Sequence, residues 1–418
     1  MRLKAALELE SEIMIRKPEI LAPAGDMTCL QAAIDAGADA VYLGLDLFNM
    51  RQAATTNFSR ESLPEASERC RSAGIKLYLT LNTLLFEDEV GEVENLLSFV
   101  KSYVDAVIVA DWSAIVLCKK LEIPFHISTQ MSCANTTAAK FLKSQGAERV
   151  VLARECTMAE VKTIAENSGI EIETFVHGAI CVAVAGRCLL SHEAYGRSAS
   201  RGECQQPCRR KYHVREVSQG DNSDAEFIVT PHTIFSAKDL CSITFTDKLM
   251  DAGIACFKIE GRARNPEYVR TVVRAYKRAV EAVCNNEFTP ELAKMLEQDC
   301  AKVYHREFGH GLYHGRPGLD QLTDKDQNQA TTKKLHVGVI NKYFQKSGVA
   351  QITVQNTPIE LGETISIHGP TSGVVDLEIT GMRRDEVAVQ TASRGDWVTI
   401  PCKKRVRAND KVYIIKDV

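Results

Sequence analysis

Four cysteines, Cys181, Cys188, Cys204 and Cys208, fall within one short stretch of this 418-residue chain, ETFVHGAICVAVAGRCLLSHEAYGRSASRGECQQPCRRK. Soft thiolates gathered in this way suit zinc or an iron–sulfur cluster better than a hard cation. The spacing Cys-x6-Cys-x15-Cys-x3-Cys fits neither the paired knuckles of zinc ribbons nor the usual ferredoxin runs. It therefore points to a metal without selecting which one. His177 precedes Cys181 by one short turn and would be the base of a Cys–His pair, but a cysteine used as a ligand is not free to act as a nucleophile.

The chain has 14 cysteines in all. Its first residues, MRLKAALELESEIMIRKPE, carry charges throughout, so no signal peptide is expected. No run approaches the length of a membrane span. The expected location is the cytoplasm, where thiols stay reduced. Cys29, Cys70, Cys118, Cys156, Cys256, Cys284 and Cys300 lie in apolar or helical contexts and are expected to pack as small buried hydrophobes. The formal net charge is −3, so any surface for nucleic acid must be local.

Short apolar runs alternate with amphipathic segments over most of the chain. EILAPAG, DAVYLGL, IKLYLTLN, VDAVIVAD, FHISTQ, RVVLARE, EIETFVHG and ACFKIEG read as eight strands, with helical patterns between most of them. This alternation predicts an α/β fold, a (β/α)8 TIM-like barrel over residues 19–315 after an N-terminal extension, 1–18. An open doubly wound sheet is disfavoured, because no G-x-G-x-x-G follows the first strand. Residues 316–334 read as a polar linker, and 335–418, with short alternating strands and Gly, Asn and Asp turns, as a small C-terminal antiparallel β-barrel.

A parallel barrel puts its chemistry at the C-terminal ends of its strands. In chain order those ends carry Asp26, Asn49 with Arg51, Asn82, Asp111, Gln130, Arg154 with Glu155, His177, and Glu260 with Arg262. Loop starts are often polar only because they cap helices. As a set, however, these residues would line a polar cavity, and Arg51, Asn82, Gln130, His177, Glu260 and Arg262 are the candidate catalytic residues. Arg51, Arg154 and Arg262 suit carboxylates, which guanidinium meets in a two-pronged fork. Arg197, Arg201, Arg209, Arg210 and Lys211 would bring phosphates to the cysteines unless they form only a solvated loop. The run Lys403, Lys404, Arg405, Arg407 carries the same two alternatives. His305, His310 and His314 sit among glycines and read as a turn rather than a metal site.

The segment from Glu173 to Ser191 resembles the signature of the collagenase-like peptidases of unassigned class, family 32. The resemblance extends to LAPAGD, YLGL…FNMR, FSAKDLC and FKIEGRARNPEYV, and covers nearly all of residues 19–315. It implies an enzyme whose better understood relatives assist hydroxylation of tRNA, ribosomal RNA or a quinone precursor. It also implies a 4Fe–4S cluster on Cys181, Cys188, Cys204 and Cys241, with Cys208 competing for a place. Prephenate is implied as a small carboxylate oxygen donor, and the terminal barrel resembles the branch that makes 5-hydroxyuridine at the tRNA wobble position. A protein partner or homo-oligomer stays open. A peptidase, as the family name implies, is the alternative, although no H-E-x-x-H or G-x-S-x-G occurs. A non-catalytic RNA-binding scaffold with structural zinc is the third reading. The family's usual turn is replaced here by His305-Arg306-Glu307-Phe308-Gly309-His310.

Overall fold

Alternate residues of a barrel strand face opposite ways, and the strands here divide their side chains between two cores. On the first strand, β1 (Glu19–Pro23), Ile20 and Ala22 join the large core beneath the helices, whereas Leu21 joins a smaller set with Tyr42, Tyr78, Ile108 and Cys256. The computed structural model describes residues 16–210, 236–315, 321–323, 325 and 327–418.

The following strands are β2 (Ala40–Leu43), β3 (Lys76–Leu81), β4 (Ala106–Val109), β5 (Phe125–Ile127), β6 (Arg149–Val151), β7 (Glu171–Gly178), β8 (Asp239–Cys241) and β9 (Cys256–Ile259). Strands β1 to β7 pair in sequence order, all parallel, and β9 pairs with both β7 and β1. The eight-stranded parallel barrel thus closes as expected. Strand β8 is an addition that the alternation does not reveal: it pairs antiparallel with the end of β7, His177 opposite Cys241. Strand β10 (Phe308–Gly309), within the histidine-rich turn, extends β8 in parallel.

Between the strands lie α1 (Met27–Asp35), α2 (Leu63–Ser72), α3 (Val90–Val100), α4 (Trp112–Lys120), α5 (Thr136–Ser144) and α6 (Met158–Ser168). Helices α7 (Leu190–Tyr195) and α8 (Thr246–Asp251) are short, and α9 (Pro266–Cys284) and α10 (Pro290–Ala301) complete the outer layer. Asp26 and Asp111, candidates at strand ends, are N-caps: Asp26 accepts from the Cys29 amide at 2.8 Å and Asp111 from the Ser113 amide at 2.9 Å. Their carboxylates satisfy orphan helix donors rather than facing a substrate. No helix among the described residues is long and apolar enough to cross a membrane.

The lower half of the barrel interior is charged. Lys258 Nζ donates to Glu173 Oε1 at 2.7 Å, with both side chains at most 5 % exposed, and stands 4.6 Å from the centre of the Tyr42 ring. Arg149 reaches Glu19 at 2.6 Å and Glu171 at 2.9 Å, and lies 3.5 Å from Glu173. Burial pushes the Glu19 carboxyl up, but the hydrogen bond and charge of Arg149 outweigh it and hold the group below its ordinary pKa.

The second domain begins at β11 (Thr332–Phe344), earlier than the expected boundary, because Thr332 is already paired with Asp417. Its other long strands are β12 (Val349–Val354), β14 (Thr364–Gly369), β15 (Gly373–Glu378), β19 (Trp397–Pro401) and β20 (Lys411–Asp417). Two-residue strands β16 (Arg383–Arg384) and β17 (Val387–Ala388) end the ladder, and β13 (Ile359–Glu360) pairs with β18 (Thr391–Ala392) as a separate ribbon. The antiparallel order β15-β14-β20-β11-β12-β19-β16-β17 has no pairing between its two edges among the described residues. This is the small antiparallel β domain expected, with its two-residue strands at one end of the ladder. It has its own core around Ile340, Ile352, Ile365 and Ile414. It docks on α1 and α9 through Lys404 with Asp35, Arg270 with Asp376, and Lys334 with Glu267.

Six of the seven cysteines expected to be buried are buried; Cys284 is exposed. It is the last residue of α9, beyond the reach of the core.

Removing one partner of a buried ion pair strands the other charge, at a cost of about 3–5 kcal/mol. Lys258→Met is therefore expected to lower barrel stability in urea unfolding by that order. The double variant Lys258→Met/Glu173→Leu is expected to lose less than the single one.

Candidate functional site

The excursion between β7 and β9 carries the cysteine segment. It leaves the barrel at Gly178, whose φ of +108° is strained for residues with a side chain, and where a Cβ would stand 2.6 Å from the Glu260 carbonyl oxygen. The segment then folds back over the barrel mouth and is tied to the loops after other strands. The Ala53 amide donates to the Gly202 carbonyl at 3.3 Å, and the Leu84 amide to the Ser200 carbonyl at 3.4 Å. Arg187 Nη2 donates to the Gln130 carbonyl at 2.9 Å, and the Ala185 amide to Glu155 Oε1 at 3.3 Å. Gly202 permits the closest approach, since a Cβ there would lie 2.1 Å from the Asn49 carbonyl oxygen.

Beneath this cover lies a cavity of about 110 Å³ whose wall includes Cys181, Cys188, Cys204 and Cys208 together with Arg51, Arg154, Arg209, Gln130 and Glu155. Two thiols already accept backbone amides, Cys188 from Leu190 and Cys204 from Gln206, each at 3.4 Å. Burial pushes the Cys208 thiol up against the opposing charge of Arg209, and the other three thiols add to the rise. Among the described residues no three Cys, His, Asp or Glu side chains stand in a geometry that already holds an ion. The four thiols share a wall, and the donor set is that of a soft metal.

Cys241 stands apart. It is buried in β8, within hydrogen-bonding reach of Cys300 and opposite His177 across the strand pair, and it does not line this cavity. The fourth cysteine on the wall is Cys208, because the antiparallel pairing of β8 turns the SAKDLC segment into the core. His177 is also displaced from its expected place. It is 1 % exposed, boxed in by Tyr276, Tyr268 and Phe308, and its Nδ1 lies 3.4 Å from Tyr276 Oη. It forms part of the aromatic packing behind the mouth and forms no pair with Cys181.

The other candidates converge. Arg51 lies 3.3 Å from Glu260 and is aimed by Asn49, whose side chain accepts from the Arg51 amide at 3.0 Å. Asn82 accepts from the Met50 amide at 3.1 Å and reaches Gln130 Oε1 at 3.4 Å. Arg262, 5 % exposed, donates to Thr80 Oγ1 at 2.9 Å. Its space depends on Gly44, where a Cβ would fall 2.3 Å from the guanidinium. Arg154 donates to the Ala179 carbonyl at 2.6 Å, with its guanidinium 4.0 Å from the centre of the Phe175 ring.

Burial lowers the Arg262 pKa to about 10, while Tyr42 and Glu260 oppose the fall and Arg51 adds to it. Burial lowers Arg154 likewise. For Glu260 burial acts upward, but Arg51, Arg264 and Arg154 outweigh it and keep the group a carboxylate at neutral pH. Arg51, Arg154, Arg262 and Arg264 outnumber Glu260 and Glu155, which leaves the mouth with surplus positive charge, suited to an anionic ligand.

The basic segment is used mostly within the protein. Arg201 is paired with Glu89 and lies over Phe86, Arg197 is 3.9 Å from Glu203, and Arg209 donates to the carbonyls of Ile180 and Ala237, each at 2.6 Å. Arg210 packs on Tyr195, and Lys211 lies outside the described residues. Sequence reasoning missed Arg306 and Tyr304, which line a space beside the mouth. A lone arginine in a glycine-rich turn gives no periodic signal that could have flagged it.

A family model described as Peptidase family U32 matches residues 25–323. A protein named Collagenase from Porphyromonas gingivalis is 39 % identical, over 94 % of this chain and 97 % of its own. The tRNA hydroxylation protein P1 of Bacillus subtilis is 33 % identical, over 86 % of this chain and 85 % of its own. A 23S rRNA 5-hydroxycytidine synthase of Escherichia coli is 36 % identical, over 63 % of this chain and 39 % of its own.

Gly178→Ala is expected to destabilise the protein by about 1–3 kcal/mol, the usual cost of overpacking. Because Gly178 is where the cysteine segment leaves the barrel, limited proteolysis should cut within residues 181–210 faster than in wild type.

Proposed function

The chain belongs to peptidase family U32, and we propose that its barrel mouth serves RNA hydroxylation, most specifically of the tRNA wobble uridine to 5-hydroxyuridine. The observation that supports this reading is the composition of one cavity: four thiols share its lining with the guanidiniums of Arg51, Arg154 and Arg209. Relatives named for RNA hydroxylation and for collagen hydrolysis both align along most of the chain, so the family alone does not choose between them. The geometry favours the first. His177, the base a cysteine peptidase would need, is buried against Tyr276 and the Cys241 thiol, away from the cavity, and among the described residues no histidine lines the cysteine cavity.

In this reading Cys181, Cys188, Cys204 and Cys208 would hold a 4Fe–4S cluster; the Leu190 and Gln206 amides already donate to the Cys188 and Cys204 sulfurs. Such a cluster, when bound, supplies one-electron redox chemistry. Placing oxygen on C5 of uracil is a two-electron oxidation of the base, and it requires an oxygen donor. Arg51, Arg154 and Arg262 would bind the carboxylates of a donor of the prephenate class, each guanidinium offering paired N–H groups. Arg154 and Arg262 are pre-aimed by Ala179 and Thr80, so little side-chain freedom is lost when an anion arrives. Glu260 holds Arg51 toward the mouth, and the folded-back cysteine segment covers it.

The test is anaerobic purification with iron, sulfide and zinc counts, an absorption spectrum, and nucleoside analysis of tRNA treated with the protein. About four irons per chain, lost in Cys181→Ala together with 5-hydroxyuridine formation, is the expected result. Stoichiometric zinc with no nucleoside product would leave a structural RNA-binding scaffold. Gelatin cleavage by metal-free protein would restore the peptidase. Arg262→Lys should keep the iron and slow hydroxylation at least about tenfold, because a single ammonium cannot reproduce the two-pronged contact.

A further inference from the structure

Two more cavities adjoin the cysteine cavity and share walls with it in series. The first, about 470 Å³, has Arg51, Cys204 and Gln206 in common with it and continues past Arg264, Tyr304 and Arg306. The second, about 350 Å³, shares Glu267 and Val303 with the first. It runs along α9 past Arg270, Arg274 and Arg278 to Ser366 and Asp376 of the second domain. Together they form one trough from the barrel mouth to the seam between the domains.

The acids along this trough are already paired. Glu260 meets Arg51 at 3.3 Å, Glu267 meets Lys334 at 2.7 Å, Asp299 meets Lys302 at 2.7 Å, and Asp376 is held by Arg270. Arg274 and Arg278 are different. Both are exposed, they stand one helical turn apart, and neither has an ion pair or hydrogen bond with a described residue. Nearer the mouth, Arg306 is only 8 % exposed, yet its Nε and Nη1 have no partner among the described residues. Its Nη2 has one long contact, 3.5 Å to Gln206 Oε1. A buried guanidinium with donors left over is costly unless a ligand supplies the acceptor. Between these cations the Tyr304 ring lies under the Arg264 guanidinium at 3.9 Å.

Cations in a row with an aromatic platform among them are the elements with which proteins hold single-stranded nucleic acid. We propose that this trough carries the ribose–phosphate strand leading into the cysteine cavity, with Arg306 taking a phosphate at the threshold and Arg274 and Arg278 taking two more beyond it. The proposal rests on the RNA reading above and adds to it the direction of approach: along the seam between the two domains, not over the basic cysteine segment.

The test compares the anaerobically purified full-length protein with its Arg274→Gln/Arg278→Gln variant in tRNA binding between about 50 and 200 mM salt, a range over which phosphate contacts respond strongly. Both side chains are exposed and lie outside the catalytic cavity, so iron content and unfolding temperature should match wild type. The expected result is weaker binding and a log–log salt slope shallower by about 1.4, from about 0.7 per phosphate on a single strand. Unchanged affinity and slope, with wild type still forming 5-hydroxyuridine, would overturn the trough and leave RNA hydroxylation standing. Weaker binding at an unchanged slope would overturn the phosphate contacts. A wild type that binds no tRNA would remove both readings.

Discussion

The buried pair of Lys258 and Glu173 crosses the strand pairing that closes the barrel. Two charges withdrawn from water are costly, and their attraction repays that cost only in good geometry. A slip of one residue in either strand would turn its charge to the other face of the sheet, since side chains alternate. The pair thus disfavours every register but one at the seam between β7 and β9. The same two strands bound the excursion that carries the cysteines. Holding them at one register fixes where Gly178 leaves the barrel, where Glu260 ends β9, and the spacing of the loops that form the mouth.

Above that seam the charge balance shifts. The lower interior matches Lys258 and Arg149 with Glu19, Glu171 and Glu173. At the mouth, Arg51, Arg154 and Arg262 face Glu260. Glycines provide the room: Gly44 for the Arg262 guanidinium and Gly202 for the cysteine segment against Asn49. The barrel is therefore neutralised from within at its base and left electropositive at its top, under the cover that brings the thiols.

The eight barrel strands could be read from sequence because each is a short apolar run between helix-capping residues, a purely local signal. Arg51, Arg154, Gln130 and Glu260 were found by the rule that strand ends carry the chemistry, and the same rule wrongly included Asp26 and Asp111, which cap helices. What failed was long-range. His177 and Cys241 face each other across an antiparallel pair whose partners are far apart in sequence, and nothing local shows that this pairing buries both. The two-residue strands that end the second domain's ladder are likewise too short to leave a pattern. Cys284 looked buried because its helix is amphipathic, but the helix ends there.

Strand β1 finds one of its two partners early, in β2, and the other only when β9 is made. On the ribosome Cys208 emerges well before Ile259, so the four thiols reach solvent while the barrel behind them is still open at one seam. The space beside that wall needs Arg306, later still in the chain, to complete its flank. Thiols without a finished pocket are exposed to oxidation and to stray metals. The order of synthesis thus gives this protein an interval of vulnerability, one that ends only when β9 has closed the barrel behind the thiols.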